Sequence, residues 1–357
     1  MRSTIFLAAT AVTLCWVATA QAVDPYAGVD PYWILLHEPD VIDELKLDSD
    51  QRPSYQKLLD ELDLRFFRCR NQSVKVAQAE MAAVVLDARE KLKTILKSSQ
   101  NHRLTEILLW RTGTAALLRE DVATQMQYSE TQRKRVKEIV TETQAAVTAV
   151  EQEASTGKPR EPLEKKYREL KADEQRQLTK LLKPEQRTTW NELLGKPFDL
   201  AKLGRPSFKA PELLDSGDWI NSVPLTLAKS RGKVVVLHFY ACGCINCIHN
   251  YPSYLEWDER YRGKDVLLIG IHTPETESER NSANVRQKAA AAKFAFPVLI
   301  DTKSENWNAW GNSMWPSVYI IDQRGYVRYF WPGELKWQGN DGEKYLREQI
   351  EKLLAEK

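Results

Sequence analysis

Three of the chain's five cysteines lie within six positions, in the stretch HFYACGCINCIHNYP. They are Cys242, Cys244 and Cys247. Cysteine thiols at this density can bind a metal ion, form a structural crosslink or exchange electrons with a substrate. Which of these reactions they perform depends on the elements that position them.

An apolar run that predicts a strand, KVVVLHFY, precedes the cysteines, and a helical stretch follows them. We therefore expect Cys244 at a helix N-terminus, where unpaired backbone amides and the helix dipole stabilise a thiolate. Cys247 follows three residues later, close enough to attack a mixed disulfide formed on Cys244. The pattern predicts a redox pair with Cys244 as the nucleophile and Cys247 as the resolving thiol.

A metal site is the main alternative interpretation of this cluster. Cys242, Cys244, Cys247 and His249 offer three thiolates and an imidazole, a ligand set suited to zinc or copper(I). Ligands that come from a strand end and a rigid helix diverge, which disfavours this set. A purely structural crosslink is also disfavoured, because closing so short a loop adds little stability.

Alternating strands and helices surround the cysteines, so the sequence predicts an α/β domain over residues 211–357. The predicted strands are 233–240, 265–272, 296–300, 317–322 and 326–331, and the predicted helices are 244–261, 279–292 and 341–355. We expect residues 206–357 to fold independently, because they have their own sheet and core.

Residues 35–195 have a different character. They are rich in Leu, Ala, Glu, Gln, Lys and Arg, with apolar residues at three- and four-residue spacing, which predicts helices. Two pairs of segments recur: DVIDELKLDSDQR with DVATQMQYSETQR, and ILKSSQNHRLTEIL with LLKPEQRTTWNELL. The sequence therefore predicts an all-α helical bundle of two tandem units, 35–112 and 117–195.

The glutamine that recurs in these segments has a local explanation. In DSDQ and SETQ, Asp48 and Ser129 can accept hydrogen bonds from first-turn amides, while Gln51 and Gln132 reach back to the N–H of the cap residue. We expect capping boxes at these helix starts. The elements resemble the LTxxQ motif of Spy-like periplasmic helical proteins, which bind unfolded or stressed clients. This resemblance implies a docking or client-binding role for the helical region.

Glycines and prolines set the domain boundaries. They exclude a continuous helix in LGKPFDLAKLGRPSFKAPELL and predict a linker at 196–210. Ahead of the helices, residues 23–34 contain repeated Asp-Pro-Tyr turns, and we expect a loosely ordered lead-in there. The predicted fold class is multidomain, with an N-terminal all-α helical bundle followed by an α/β domain.

Residues 1–22 are typical of a cleaved signal peptide, with Arg2, an apolar run and small residues before the end at Ala22. We expect a periplasmic or otherwise exported protein that does not span the membrane after cleavage. The net charge of +2 comes without a basic stripe, so nucleic acid is not an expected partner.

Over residues 210–354 the chain resembles the thioredoxin-like domains of DipZ- and TlpA-type proteins. It also resembles the thioredoxin domain of NHL-repeat-containing proteins, which share the Cys-Ile-Asn-Cys core. The resemblance rests on four segments in the same order: GKVVVLHFYACGCINCIHNYPSYLEWDERY, IGIHTPE, NVRQ and PVLIDTKSENWNAWGNSMWPSVYIIDQRGYVRY.

This resemblance implies a thioredoxin fold with a redox disulfide between Cys244 and Cys247. It also implies a cis bond between Trp315 and Pro316, which faces the pair and receives the substrate backbone. Electrons are expected from a separate membrane thiol reductase of the DsbD or CcdA type, and we expect no bound cofactor.

One residue departs from the family pattern. Thioredoxin and the DipZ-type relatives have a buried aspartate six residues before the first active cysteine, where this chain has His238. The imidazole is a candidate relay for the proton of the resolving thiol, because histidine titrates nearest to neutrality. A packed core residue is the alternative interpretation.

Cys69 and Cys242 complete the set of four cysteines after signal cleavage. A disulfide between them would join the helical region to the redox domain and make the cysteine count even. We expect the alternative, a buried Cys69 and an unpaired Cys242. A disulfide requires Cα atoms within about 7 Å, and nothing in the sequence brings these two together.

Two functions are consistent with the sequence. The first is an exported thiol-disulfide oxidoreductase that acts on the thiols and disulfides of exported proteins, with the helical region as a docking or client-binding scaffold. The second is a chaperone-like or copper- or zinc-binding protein, in which the thioredoxin-fold domain is an accessory.

Overall fold

The computed structural model describes residues 29–155, 159–204, 206–337, 339 and 341–356. The predicted signal peptide, 1–22, lies outside these residues, as does the first half of the predicted lead-in. Within the described ranges, none of the helices combines the length and the apolar character that a membrane crossing requires.

Helices make up the first part of the described chain, and the first strand begins only at Phe208. The helices are α1 (Pro31–Leu36), α2 (Pro39–Leu45), α3 (Gln51–Cys69), α4 (Val74–Ile95), α5 (Ser98–Thr112), α6 (Glu120–Gln125), α7 (Glu130–Ser155), α8 (Arg160–Leu181), α9 (Pro184–Leu194), α10 (Ile245–Tyr261), α11 (Ser282–Ala291), α12 (Glu305–Ala309) and α13 (Gly342–Ala355). The strands are β1 (Phe208–Lys209), β2 (Trp219–Ile220), β3 (Val234–Tyr240), β4 (Val266–His272), β5 (Val298–Ile300), β6 (Ser317–Ile321) and β7 (Tyr326–Pro332). The predicted fold class, a helical region followed by an α/β domain, is confirmed.

The strands form one mixed sheet in the order β1-β7-β6-β3-β4-β5-β2. β3 lies at its centre, parallel to β4 and antiparallel to β6. Every residue of β3 is buried, which explains why its sequence is apolar apart from His238 and does not alternate between apolar and polar residues. One core cluster joins β3 to Tyr254 and Trp257 of α10 and to Leu346 and Ile350 of α13.

Residues 31–34 belong to α1, so this part of the predicted lead-in is corrected. Asp30 Oδ1 accepts a hydrogen bond from the Tyr32 N–H at 2.7 Å, and Pro31 occupies the first helical position. An aspartate cap followed by proline is a favourable helix start, and Trp33 is fully buried. The Asp-Pro pair that suggested a turn therefore begins a packed helix.

The predicted helix 279–292 starts later than expected. Glu277–Arg280 forms a short 3-10 helix, and α11 begins only at Ser282. Asn281 caps α11, because its Oδ1 accepts a hydrogen bond from the Ala283 N–H at 2.9 Å. Glu279 is consequently a member of the turn, and its side chain is free to contact the cysteine segment.

The capping boxes that the sequence predicts are present at the starts of α3 and α7. The Asp48 N–H donates to Gln51 Oε1 at 3.1 Å, and the Gln51 N–H donates to Asp48 Oδ1 at 3.0 Å. At α7 the reciprocal distances between Ser129 and Gln132 are 3.3 and 3.2 Å. Both helix starts thus satisfy backbone donors that would otherwise be unpaired.

Each of these glutamines has a second role. The Gln51 side-chain amide donates to the carbonyl of Ile95 at 2.7 Å, and that of Gln132 donates to Leu181 at 3.2 Å. Ile95 and Leu181 are the last residues of α4 and α8. The recurring glutamine therefore ties the start of the first helix of each hairpin to the end of the second.

The chain packs into two compact units. The all-helical unit contains residues 43–46 and 97–204, and the sheet-containing unit contains the described residues up to 42, residues 47–96 and those from 206 on. The hairpin of α3 and α4 therefore packs with the sheet. The sequence-based division had placed this hairpin in a helical domain, 35–195, joined by a linker at 196–210.

The hairpin of α3 and α4 meets the sheet domain through aromatic rings. Phe66 stacks on Phe208 of β1 with ring centroids 4.8 Å apart, and Phe67 packs against Trp310 at 5.8 Å. Gly311 lies against the same helix at a φ of +60°, and a Cβ there would lie 1.9 Å from the Phe67 carbonyl oxygen. Only glycine fits this close approach.

A buried histidine-carboxylate pair reinforces this packing. His37 Nε2 lies 2.8 Å from Asp63 Oδ1, and its Nδ1 lies 2.9 Å from the carbonyl of Trp33. The other Asp63 oxygen accepts a hydrogen bond from the backbone N–H of Lys209 at 2.7 Å. The pair thus connects the segment after α1, helix α3 and strand β1, and it satisfies polar atoms that are shielded from water.

The all-helical unit has its own core. Its buried residues include Val136, Ile139 and Val140 of α7, Leu178 of α8 and Trp190 of α9. Gln186, the glutamine of the KPEQ segment, donates to the Met126 carbonyl at 3.0 Å. The second helical hairpin, α7 and α8, is therefore packed by helices alone.

Candidate active site

The turn from β3 to α10 places the three cysteines in different environments. Cys244 is the N-cap residue of α10 and is half-buried, whereas Cys247, in the first turn, is fully buried. The Cys244 carbonyl accepts hydrogen bonds from the N–H groups of Cys247 and Ile248, both at 3.1 Å. The helix start predicted at Cys244 is confirmed to within one residue, and the thiol at the helix N-terminus is the more accessible of the pair.

Burial also determines the protonation state of the Cys247 thiol. Burial raises the pKa of the Cys247 thiol well above its usual range, and the neighbouring Cys244 adds to the effect. Cys244, by contrast, lies partly exposed at the N-terminus of α10. This asymmetry is the one that a dithiol needs when one sulfur attacks first and the other resolves.

Pro316 lies at the same edge of the sheet. The Trp315–Pro316 peptide bond is cis, as the family resemblance implies. Ser317, the next residue, pairs with Phe239 near the end of β3, so the register of β6 brings the proline beside the strand end that leads into the cysteine turn. The Trp315 indole stacks on Trp307 with ring centroids 4.0 Å apart, which holds this segment in place.

His238 lies in an aromatic cage on β3. Its ring stacks on Tyr254 at 4.0 Å and lies edge-on to Phe296 at 5.3 Å. Neither ring nitrogen has a hydrogen-bond partner among the described residues, and burial lowers the pKa of His238 to about 3. An imidazole that is so costly to protonate favours the packing role, and the proton-relay role stays a prediction.

Cys242 contacts a residue that the sequence did not single out, Glu279. The thiol donates to Glu279 Oε1 at 3.4 Å, and the Gly243 N–H donates to the same oxygen at 2.5 Å. The other oxygen accepts hydrogen bonds from the N–H groups of Glu275 and Thr276 at 2.8 and 3.2 Å. The carboxylate therefore joins the cysteine turn to the loop that follows β4.

The charges of this contact are set by burial and hydrogen bonding. Burial, and then the Glu279 carboxylate, raise the pKa of Cys242 to about 11. Burial alone would raise the pKa of Glu279, but donation from backbone N–H groups outweighs it and lowers that pKa. Cys242 is therefore a protonated thiol near neutral pH, unlike a thiol poised for attack.

His272, the last residue of β4, completes this group. Ligand atoms of Cys242, His272 and Glu279 lie within 4.8 Å of one another. The segment IGIHTPE contributed to the family resemblance, yet nothing in its spacing linked His272 to Cys242. The link comes from the parallel register, in which Tyr240 pairs with His272 and Cys242 follows two residues later.

The alternative metal set, Cys242, Cys244, Cys247 and His249, is not brought together as a group in the described part of the chain. His249 is half-exposed, and its Nδ1 lies 3.1 Å from Glu334 Oε2. The sequence predicts that ligands from a strand end and a rigid helix diverge, and His249 does lie on the surface of α10.

Cys69 is a buried residue of α3. Its thiol donates to the carbonyl of Phe66 at 3.2 Å, and burial raises its pKa. The structure has Cys69, Cys242, Cys244 and Cys247 as free thiols. The predicted burial of Cys69 is confirmed.

The C-terminal part of the chain is similar in sequence to known proteins. Residues 205–330 match the model of the AhpC/TSA family. Protein DipZ of Mycobacterium bovis is 36% identical over 128 residues, which are 35% of this chain and 18% of DipZ. The thiol-disulfide oxidoreductase YkuV of Bacillus subtilis is 24% identical over 146 residues, 41% of this chain and 94% of YkuV.

A solved thioredoxin-like superfamily protein is 28% identical, with a TM-score of 0.38, and the match covers 42% of this chain and 97% of that one. The aligned part of this chain spans less than a fifth of the length of DipZ. The matched family model begins at residue 205, after the all-helical unit.

Proposed function

We propose that this chain, whose residues 205–330 form a thioredoxin-like domain of the AhpC/TSA family, is an exported thiol-disulfide oxidoreductase. The observation that carries the proposal is the asymmetric pair of Cys244 and Cys247. Cys244, which is partly exposed, is the N-cap residue of α10, and the buried Cys247 thiol, whose pKa is raised, follows in the first turn. The cis-proline at residue 316 lies at the same edge of the sheet.

The reaction begins with attack by the Cys244 thiolate on a client disulfide. A bond forms between Cys244 Sγ and one client sulfur, the client S–S bond breaks, and the second client sulfur leaves as a thiolate that takes up a proton. The backbone of the segment before Pro316 is the proposed contact for the client chain. Exposed apolar side chains, Ile245 and Met314, flank the site and suit an unfolded or extended client.

Cys247 then resolves the mixed disulfide. Its sulfur attacks Cys244, a Cys244–Cys247 disulfide forms, and the first client sulfur is released as a thiol. Two electrons pass from the pair to the client, and the Cys247 proton must leave during this step because burial keeps the thiol protonated beforehand. His238 is the candidate relay for that proton, although its aromatic cage favours a role in packing.

Export, the client and the electron donor complete the proposal. The sequence of residues 1–22 supports export, and the clients would be thiols and disulfides of exported proteins. A membrane thiol reductase of the DsbD or CcdA type would return the pair to its reduced form. The helical region would dock clients or partners.

A disulfide-reduction assay with insulin tests the proposed reaction. Cys244→Ser should reduce turnover to background, whereas Cys247→Ser should accumulate client mixed disulfides on Cys244, visible on non-reducing gels. Cys69→Ser is the matched control, because this buried thiol packs in α3 and should leave turnover unchanged. Trapping of clients by the Cys244→Ser variant would reverse the assigned roles, and normal turnover in both variants would refute the proposal.

A further inference from the structure

Three potential metal ligands converge beside the redox pair without including either of its sulfurs. Cys242, His272 and Glu279 are all buried, with 8%, 0% and 5% of their surface exposed. A sulfur, a ring nitrogen and a carboxylate oxygen lie within 4.8 Å of one another. In the described ranges, no other group of three or more Cys, His, Asp or Glu side chains is gathered in this way.

The backbone fixes the three ligands independently of any ion. His272 ends β4, and the Thr273 N–H that follows it donates to the Tyr240 carbonyl at 2.9 Å, so the two strand ends are aligned. Glu279 receives N–H donors from the 3-10 turn and from Gly243. Outer hydrogen bonds of this kind orient carboxylate ligands in metal sites. A Cβ on Gly243 would lie 2.9 Å from Glu279 Oε1, so glycine allows the close approach.

His272 supplies the second, independent observation. It is fully buried, and neither of its ring nitrogens has a hydrogen-bond partner among the described residues. A buried imidazole in that condition is unfavourable unless something binds it. His238 is also buried and unpartnered, but it is surrounded by aromatic rings, whereas His272 faces a thiol and a carboxylate.

We propose that Cys242, His272 and Glu279 bind a divalent cation of the zinc class. Zinc accepts sulfur, nitrogen and oxygen ligands together, and three protein ligands leave the fourth tetrahedral position open. Metal–ligand bonds of about 2.0 to 2.3 Å place neighbouring ligand atoms roughly 3.5 Å apart. The Cys242–Glu279 distance is already 3.4 Å. The other ligand atoms lie within 4.8 Å of one another, so their separations have to shorten by at most about 1.3 Å.

The site goes beyond the proposed redox function, because it uses neither Cys244 nor Cys247. Binding replaces the proton of the Cys242 thiol with the metal and transfers no electrons. A sulfur held in a metal–sulfur bond is a poorer nucleophile than a free thiolate. The cation would therefore keep the third thiol out of exchange with the nearby Cys244 disulfides.

Cobalt(II) is a suitable probe, because a thiolate bound to cobalt gives a charge-transfer absorption band. Residues 23–357 are prepared reduced and metal-free, titrated with cobalt, and then competed with zinc to obtain the zinc Kd. The expected result is one equivalent of cobalt with the thiolate band. The Cys244→Ser/Cys247→Ser double variant should keep this band, and Cys242→Ser should lose it.

His272→Gln should keep the fold, checked by near-ultraviolet circular dichroism, and bind zinc at least about tenfold more weakly, since outer contacts alone account for about 10- to 100-fold. His238→Leu is the matched control, and its zinc Kd should equal that of the parent. No cobalt band in the parent would overturn the proposal. It would also be overturned if the band were lost in the double variant and kept in Cys242→Ser, which would assign the metal to the redox pair.

A triple variant keeps the proposal testable if Cys242→Ser does not fold. In the variant Cys69→Ser/Cys244→Ser/Cys247→Ser, Cys242 is the only thiol that remains within residues 23–357. A thiolate-to-cobalt band in this variant supports the site, and its absence overturns it. Neither result depends on reductase activity, so the redox function and the metal site can fail separately.

Discussion

The two long helical hairpins, α3–α4 and α7–α8, begin with the same hydrogen-bonded capping motif but pack against different parts of the molecule. In each, a glutamine completes a capping box and ties the first helix to the end of the second. The first hairpin then buries Phe66 and Phe67 against the sheet domain, whereas the second buries Ile139 among helices. A repeated local motif therefore fixes how a hairpin closes and leaves open which core it joins.

The largest expected effect comes from removing a core ring of the first hairpin. Phe66→Ala should lower the free energy of unfolding of the sheet-containing unit by about 3 to 5 kcal/mol, because it removes the ring that stacks on Phe208. Hydrogen exchange of peptides from β3 would report the loss of protection, while peptides from α7 should be unaffected.

Ile139→Ala is the matched change in the second hairpin. Ile139 is as deeply buried as Phe66, so the expected cost is about 2 to 5 kcal/mol, confined to the all-helical unit. Peptides from α7 should lose protection and those from β3 should keep it. Equal loss of protection in both regions, for both variants, would show that the chain unfolds as one cooperative body.

The next largest effect is a difference in stability at low pH, which should destabilise the sheet-containing unit more than the all-helical unit. The folded state holds His238 at a pKa of about 3 and His272 at about 4, both below the ordinary value of 6.5, because burial disfavours the charged ring. The unfolded chain then binds more protons below pH 6.5, so stability falls as the pH falls. Each histidine should cost about 1.4 kcal/mol per pH unit.

Urea unfolding between pH 7 and 5, monitored in β3 and α7, measures this effect. His238→Leu should remove about half of the pH dependence of the sheet-containing unit. Both buried histidines belong to the sheet-containing unit, so the pH dependence expected from them should appear in β3 and not in α7. A pH dependence in His238→Leu as steep as in the parent would mean that the caged ring does not carry the effect.

The shared glutamines predict a smaller difference. Gln51→Ala and Gln132→Ala each remove a capping box and a link to the other helix, which should cost about 0.5 to 2 kcal/mol in the respective hairpin. Gln51 should cost more, because it is buried and leaves the Ile95 carbonyl without its donor, whereas Gln132 is partly exposed. Unfolding curves of the two variants give the comparison, and a larger loss for Gln132→Ala would contradict it.

The smallest effect concerns Arg70, at the end of α3. Its guanidinium lies 4.8 Å from the Phe330 ring centroid, a contact that lysine reproduces poorly. Arg70→Lys should therefore cost about 0.5 to 1 kcal/mol in the sheet-containing unit. Arg133→Lys, in an exposed ion pair with Glu120, should cost nothing measurable by the same unfolding assay.

The sequence predicted what depends on local patterns. Apolar runs located the strands β3 to β7, and the capping signature located the starts of α3 and α7. The position of Cys244 at a helix start followed from the change of periodicity at that point. These features need only residues that are near one another in the chain.

The features that were missed depend on distant residues. Glu279 reaches the cysteine turn because Asn281 delays the start of α11, and His272 reaches it because of the register between two parallel strands. Likewise, the sequence pattern does not distinguish Phe66 from any other apolar residue of a helix. Its packing on Phe208 arises from tertiary structure that no periodicity reveals.

The stacking of Phe66 on Phe208 also has a consequence for the order of folding. Helix α3 precedes the whole segment 97–204 in the chain, and β1 follows it. Contacts between residues so far apart in the chain form late during folding, because the entropy cost of closing the long intervening loop must be overcome first. We therefore expect 97–204 to complete its structure while the α3–α4 hairpin still exposes its aromatic face, so that this hairpin needs protection from aggregation during synthesis.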